Sequence, residues 1–60
     1  MDMTRLEAIL IKEMRTMLGF TWRKIAEVWC EAHNETDCSQ ERGRELCVIS
    51  QNVLNENWEE

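Results

Sequence analysis

Read for its apolar positions alone, the chain divides into three helical segments. Met3, Leu6, Leu10, Met14 and Met17 recur at spacings of three and four, with Leu18 at the border. That period makes them the inner face of a first helix over residues 4–18. Ile9 and Ile11 flank the stripe on opposite sides, so the helix is apolar over more than half its circumference. Such a helix is expected to make contact on two sides, one of them with another chain. A second helix over residues 21–33 turns Trp22, Ile25, Ala26, Trp29 and His33 to one face, with Val28 and Ala32 beside it. A third, over residues 38–55, has Gly43, Leu46, Cys47, Ser50, Val53 and Leu54 on its inner face.

Local signals set the ends of these segments. Thr4-Arg5-Leu6-Glu7 has the form of a capping box, and Asp37-Cys38-Ser39-Gln40 offers a second, with Ser39 an equally good cap. Gly19 stands where a left-handed residue ends the first helix. Phe20 precedes Thr21, a good N-cap, and is placed to staple against Ile25. Gly43 costs about 1 kcal/mol relative to alanine inside a helix, so it marks a close crossing. Val48 and Ile49 fall outside the inner face of the third helix and are candidates for an interface. The tail from Asn55 frays, with Trp58 either folding back on the core or meeting a partner.

The chain has 60 residues, 43% of them hydrophobic, with three tryptophans, one phenylalanine and neither proline nor tyrosine. Strand and turn formers are scarce, which predicts one all-α domain over residues 1–60, a compact three-helix bundle. A core this small benefits from a staple or a partner.

Charge changes the picture of function. Residues 1–24 carry Arg5, Lys12, Arg15, Arg23 and Lys24 against Asp2, Glu7 and Glu13, a net of +2, whereas residues 25–60 carry −7. The total is −5, and the field of the acidic half favours a basic surface as partner and repels nucleic acid. No apolar run reaches the length of a membrane span, and Met1-Asp2-Met3 lacks the start of a signal peptide, so the expected location is the cytoplasm, with no membrane partner.

Thr21-Trp22-Arg23-Lys24-Ile25-Ala26-Glu27 resembles the opening helix of helix-turn-helix domains, in which a cap, a polar pair, a buried Ile-Ala and a glutamate follow one another. The resemblance implies a helix-turn-helix-like core with the third helix in the recognition position. Arg23, Lys24, Gln40, Arg42, Arg44 and Gln51 would then be the DNA-contacting residues of a dimeric regulator pairing through its first helix. The pattern departs where the family has a turn glycine, since Cys30 occupies that position, and the third helix has no lysine to neutralise phosphate.

Cys30, His33, Cys38 and Cys47 form C-x2-H-x4-C-x8-C, ligand types that zinc accepts at a spacing that matches no standard finger. Cysteine is also a common small core residue, and the reading is that no metal or other cofactor is required. With no phosphate loop and no spaced nucleophile and base, the chain is not expected to be an enzyme. Size, acidity and the helix-turn-helix-like core together resemble small phage-encoded accessory proteins. That resemblance implies an inhibitor or regulator binding a host protein or defence complex, with homodimer formation a further option. Glu27, Glu31, Glu41, Glu45, Val48, Ile49 and Trp58 are the partner-binding residues expected on this reading.

Overall fold

The computed structural model describes residues 3–59; Met1, Asp2 and Glu60, which enter the charge count and the reading of the chain's start, lie outside them. Helices α1 (Arg5–Thr16), α2 (Trp22–His33) and α3 (Gln40–Leu54) make a compact all-α bundle, with no strand among the described residues. The capping box of α1 is present in both directions: the Glu7 amide donates to Thr4 Oγ1 (3.1 Å) and the Thr4 amide donates to Glu7 Oε1 (2.8 Å). Thr21 caps α2 by accepting from the Lys24 amide. Ser39, rather than Asp37, caps α3, and Asp37 accepts from the Ser39 hydroxyl to hold the cap in place. Each such cap contributes about 1 kcal/mol. Gly19 has φ +68, and left-handed Asn34 and Asn55 close α2 and α3.

The third helix is the centre of the bundle. Helices α1 and α2 each lie along α3 and meet one another over a much shorter stretch. Small residues set both crossings. Ala8 and Ser50 are fully buried, and the Ser50 hydroxyl donates to the Ala8 carbonyl at 2.7 Å, tying α3 to the α1 backbone. At the other crossing a Cβ on Gly43 would overlap the Trp22 carbonyl and lie 2.9 Å from its Cα. The expected role of Gly43 as a crossing residue is therefore what the packing shows. Ile11, Ile25, Leu46 and Cys47 fill the space between the crossings.

The inner face of α1 differs from the expected one. Met3, just before the helix, is buried as anticipated, but the core residues of α1 itself are Ala8 and Ile11, while Leu6, Leu10 and Met17 are exposed and Met14 is half-buried. The inward face is turned by about one residue, or 100°, from the centre of the apolar stripe. A leucine at the crossing would hold α1 off α3, whereas Ala8 lets the two backbones approach closely enough for the Ser50 bond. Close approach, rather than the number of large apolar groups, selects the face.

The tail settles the alternatives for Trp58. It is half-buried and packed on the core, so it folds back rather than standing free. Two acids anchor the same segment to α1: Lys12 Nζ lies 2.6 Å from Glu56 and Arg15 Nε 3.1 Å from Glu59. The Trp22 indole N–H also donates to Glu59 at 2.8 Å. The tail is thereby fastened to the flank of α1 that carries Lys12 and Arg15, while the side with Leu6 and Leu10 stays exposed.

Candidate functional site

Because α1 and α2 both lean on α3 and hardly on each other, a groove opens between their outer edges. Leu10, Ile11 and Met14 form one wall and Val28, Trp29 and Ala32 the other, enclosing about 220 Å³. The lining is almost wholly apolar. Beside that wall Leu6, Leu10 and Met17 recur at helical spacing and are 67, 49 and 77% exposed, and Leu18, just past the helix end, is 62% exposed. These four side chains present on the order of 400 Å² of apolar surface, comparable to the largest patch on a typical monomer, although the chain is very small. The two methionines add a flexible, polarisable edge that fits varied apolar surfaces.

One end of the groove is closed by a charged contact. His33 Nε2 lies 2.6 Å from Glu7 Oε2, while His33 Nδ1 lies 3.0 Å from the Trp29 carbonyl and the ring stacks on Trp29 at 3.7 Å between centroids. Both ring nitrogens face acceptors, so the doubly protonated imidazolium satisfies both. Accordingly the Glu7 carboxylate, then the Trp29 carbonyl, raise the His33 pKa above its ordinary 6.5. The Thr4 amide, then His33, lower that of Glu7 below 4.5.

The sign of the pH dependence follows from those directions. The His33 contribution is complete below pH 6.5 and is lost as pH rises through the raised folded value. The Glu7 contribution is present above pH 4.5 and is lost as pH falls through the lowered folded value. The clasp therefore stabilises most between those limits. Urea unfolding at pH 6 and pH 8 should show wild type losing stability on going to pH 8, and Glu7→Gln should largely abolish the difference. An unchanged difference in the variant would remove the clasp from the account.

The partner-binding residues expected from sequence do not gather into one patch. Glu27 and Glu31 lie on the outer face of α2, with Glu27 3.6 Å from Arg23. Glu41, Glu45 and Val48 lie on the outer face of α3, with Val48 49% exposed. Ile49 is half-buried against the core, as is Trp58, so neither offers a free anchor. A shallow dent beside Val48 is lined by Gln51, Asn52, Asn55, Glu56 and Asn57, amide-rich and without a buried apolar floor.

The residues named for DNA contact fare unevenly. Arg23, Lys24 and Gln40 are exposed. The Arg42 side chain is only 12% exposed, with Nη1 2.5 Å from Glu45 and Nη2 3.1 Å from Glu35. Arg44 lies 5.1 Å over the Trp22 ring, which Arg15 also approaches at 4.9 Å. The Gln51 amide donates back to the Cys47 carbonyl of its own helix. A guanidinium bracketed by two carboxylates has little positive field left to give a phosphate.

Of the four sulfur and imidazole groups only Cys30 and Cys38 come together, within hydrogen-bond reach of each other. Cys47 is fully buried, and burial pushes its thiol pKa up to about 11. Cys30 donates to the Asp37 carbonyl at 3.1 Å, and burial, then Cys38, push it likewise up to about 11. Neither is a thiolate at neutral pH, the form that binds metal or attacks carbon. With His33 turned to Glu7, no group of three or more His, Cys, Asp or Glu among the described residues is arranged to hold a metal ion.

Sequence reading missed the groove, although its signal was present. Ala8 is the one small side chain in the middle of α1, and a small residue there marks the crossing face more reliably than the leucines do. The long-range Glu7–His33 and Arg15–Glu59 pairs have no local signature.

The class defined by fold and surface is thus a tail-clasped three-helix bundle with an open apolar groove between α1 and α2. No known protein family, curated protein or solved structure matches the chain.

Proposed function

We propose that this chain is a small acidic protein-binding module, acting as a phage-type inhibitor or regulator of a host protein or defence complex in the cytoplasm. The observation that carries the reading is the uncovered apolar stripe Leu6, Leu10, Met17 and Leu18 beside the α1–α2 groove. Exposed apolar surface of that extent lowers solubility unless something docks on it. The net charge of −5 favours a partner with a basic surface and speeds encounter with it. Engagement of Arg42 by Glu35 and Glu45 supports protein over nucleic acid as the partner. None of the helices is long and apolar enough to cross a membrane among the described residues.

A gel-shift series against a pool of random duplexes at low salt tests the reading. The expected result is no retardation. Clear retardation that weakens steeply with added salt would instead make the chain a helix-turn-helix regulator, with Arg23, Lys24 and Gln40 at the interface.

A further inference from the structure

We infer that the α1–α2 groove is a seat for a basic amphipathic helix, whose apolar anchors enter between Leu10/Met14 and Val28/Ala32 and whose cations meet Glu13 and Glu31 on the two rims. The inference rests on the protein-binding reading and adds the site and chemistry of the partner. Shape comes first. The groove is concave, apolar and bounded by two helices, the arrangement that receives a helix by its i, i+3, i+4, i+7 face. From Leu6 to Met17 the stripe runs about 16 Å, three helical turns, which sets the length of partner it can cover.

Charge then selects the partner. Glu13 stands three residues after Leu10 and four before Met17, so it borders the stripe on α1. Glu31, three residues after Val28, borders the other wall. Both are exposed, and Lys24, four residues before Val28, opposes them with a single charge. The rims thus lean acidic, in keeping with the net charge of −5. A second copy of the chain fits less well. It would bring two chains of −5 together and set Glu13 against an acidic rim, while the stripe offers on the order of 400 Å² where stable dimers bury about 800 Å² per partner.

The test uses the full chain, isotopically labelled, and a synthetic peptide of about 15 residues with leucine at helical spacing and lysine elsewhere. The expected result is chemical-shift change at Leu10, Met14, Val28 and Ala32 with micromolar affinity, and affinity weaker by about tenfold or more when glutamate replaces lysine in the peptide. Glu13→Lys with Glu31→Lys should weaken the lysine peptide by about tenfold, while Glu41→Lys with Glu45→Lys should leave it within about twofold. Shifts confined to the outer face of α3, or equal loss in both charge variants, would overturn the inference as mere charge attraction. So would sedimentation of the chain alone as a dimer with α1 at its interface. Failure of the peptide with no DNA retardation removes this occupant and leaves the binding-module reading standing, whereas DNA retardation removes that reading itself.

Discussion

Gly43→Ala is expected to destabilise the protein by about 3 kcal/mol or more, as measured by urea unfolding followed by circular dichroism. Two effects oppose each other at this position. Alanine is the better helix former by about 1 kcal/mol, so an exposed glycine in α3 would be improved by the change. Here the new methyl group would overlap the carbonyl of Trp22, which is rigid backbone rather than a side chain that can rotate away. Relief requires α2 to slide or lift from α3, and either movement disturbs a core that includes the buried Ala26 and Trp29 of α2 and Leu46 of α3. A core of this size supplies only about 3–5 kcal/mol in total, so the variant should be largely unfolded. A stabilised Gly43→Ala protein would mean that α2 does not cross α3 at this point.

The second large effect lies on α1, where neighbouring residues should behave oppositely. Ile11→Ala is expected to cost about 2–4 kcal/mol, because Ile11 is buried in the core at 1% exposure and the cavity left behind cannot fully close. Leu10→Ala should cost less than about 1 kcal/mol, since Leu10 faces the open groove and is half exposed. Unfolding midpoints of the two variants check the orientation of α1 directly. The reverse order would restore the face centred on Leu6 and Leu10 as the core.

These two positions also show how far the amino-acid sequence reaches. Gly43 was legible because a helix rarely keeps a glycine in its interior without a reason, and the reason proved to be the Trp22 backbone. The helix ends were legible for the same kind of cause, as Thr4, Thr21, Ser39 and Gly19 each satisfy a local backbone need. The rotation of α1 was not. Its apolar residues cover more than half of the helix, so periodicity alone leaves two faces to choose between, and the larger side chains lie on the outward one. The choice depends on Ser50, 42 residues away, finding the Ala8 carbonyl. Most of the acidic residues lie on the surface, but which of them border an apolar groove depends on the same rotation. Arg42 shows the limit from the other direction. Its exposure on a helical wheel is cancelled by Glu35, which the loop before α3 brings into reach.

A consequence for function follows from that rotation. If Leu6, Leu10 and Met17 were core, the chain would present only dispersed charge and a few isolated apolar groups. With them outside, it has a continuous apolar wall next to a groove, clasped at one end by Glu7 and His33. The tail contacts from Lys12 and Arg15 to Glu56 and Glu59 hold the opposite flank shut, so binding is directed to one side of α1.

The most direct measurement is an amide correlation spectrum of the Leu6→Ser, Leu10→Ser, Met17→Ser triple variant, recorded through a titration with the leucine-lysine peptide. The expected result is a dispersed, folded spectrum close to that of the wild type and no peptide-induced shifts at the groove. A collapsed spectrum would show that the stripe belongs to the core, and undiminished shifts at Val28 and Ala32 would show that it is not the surface that binds.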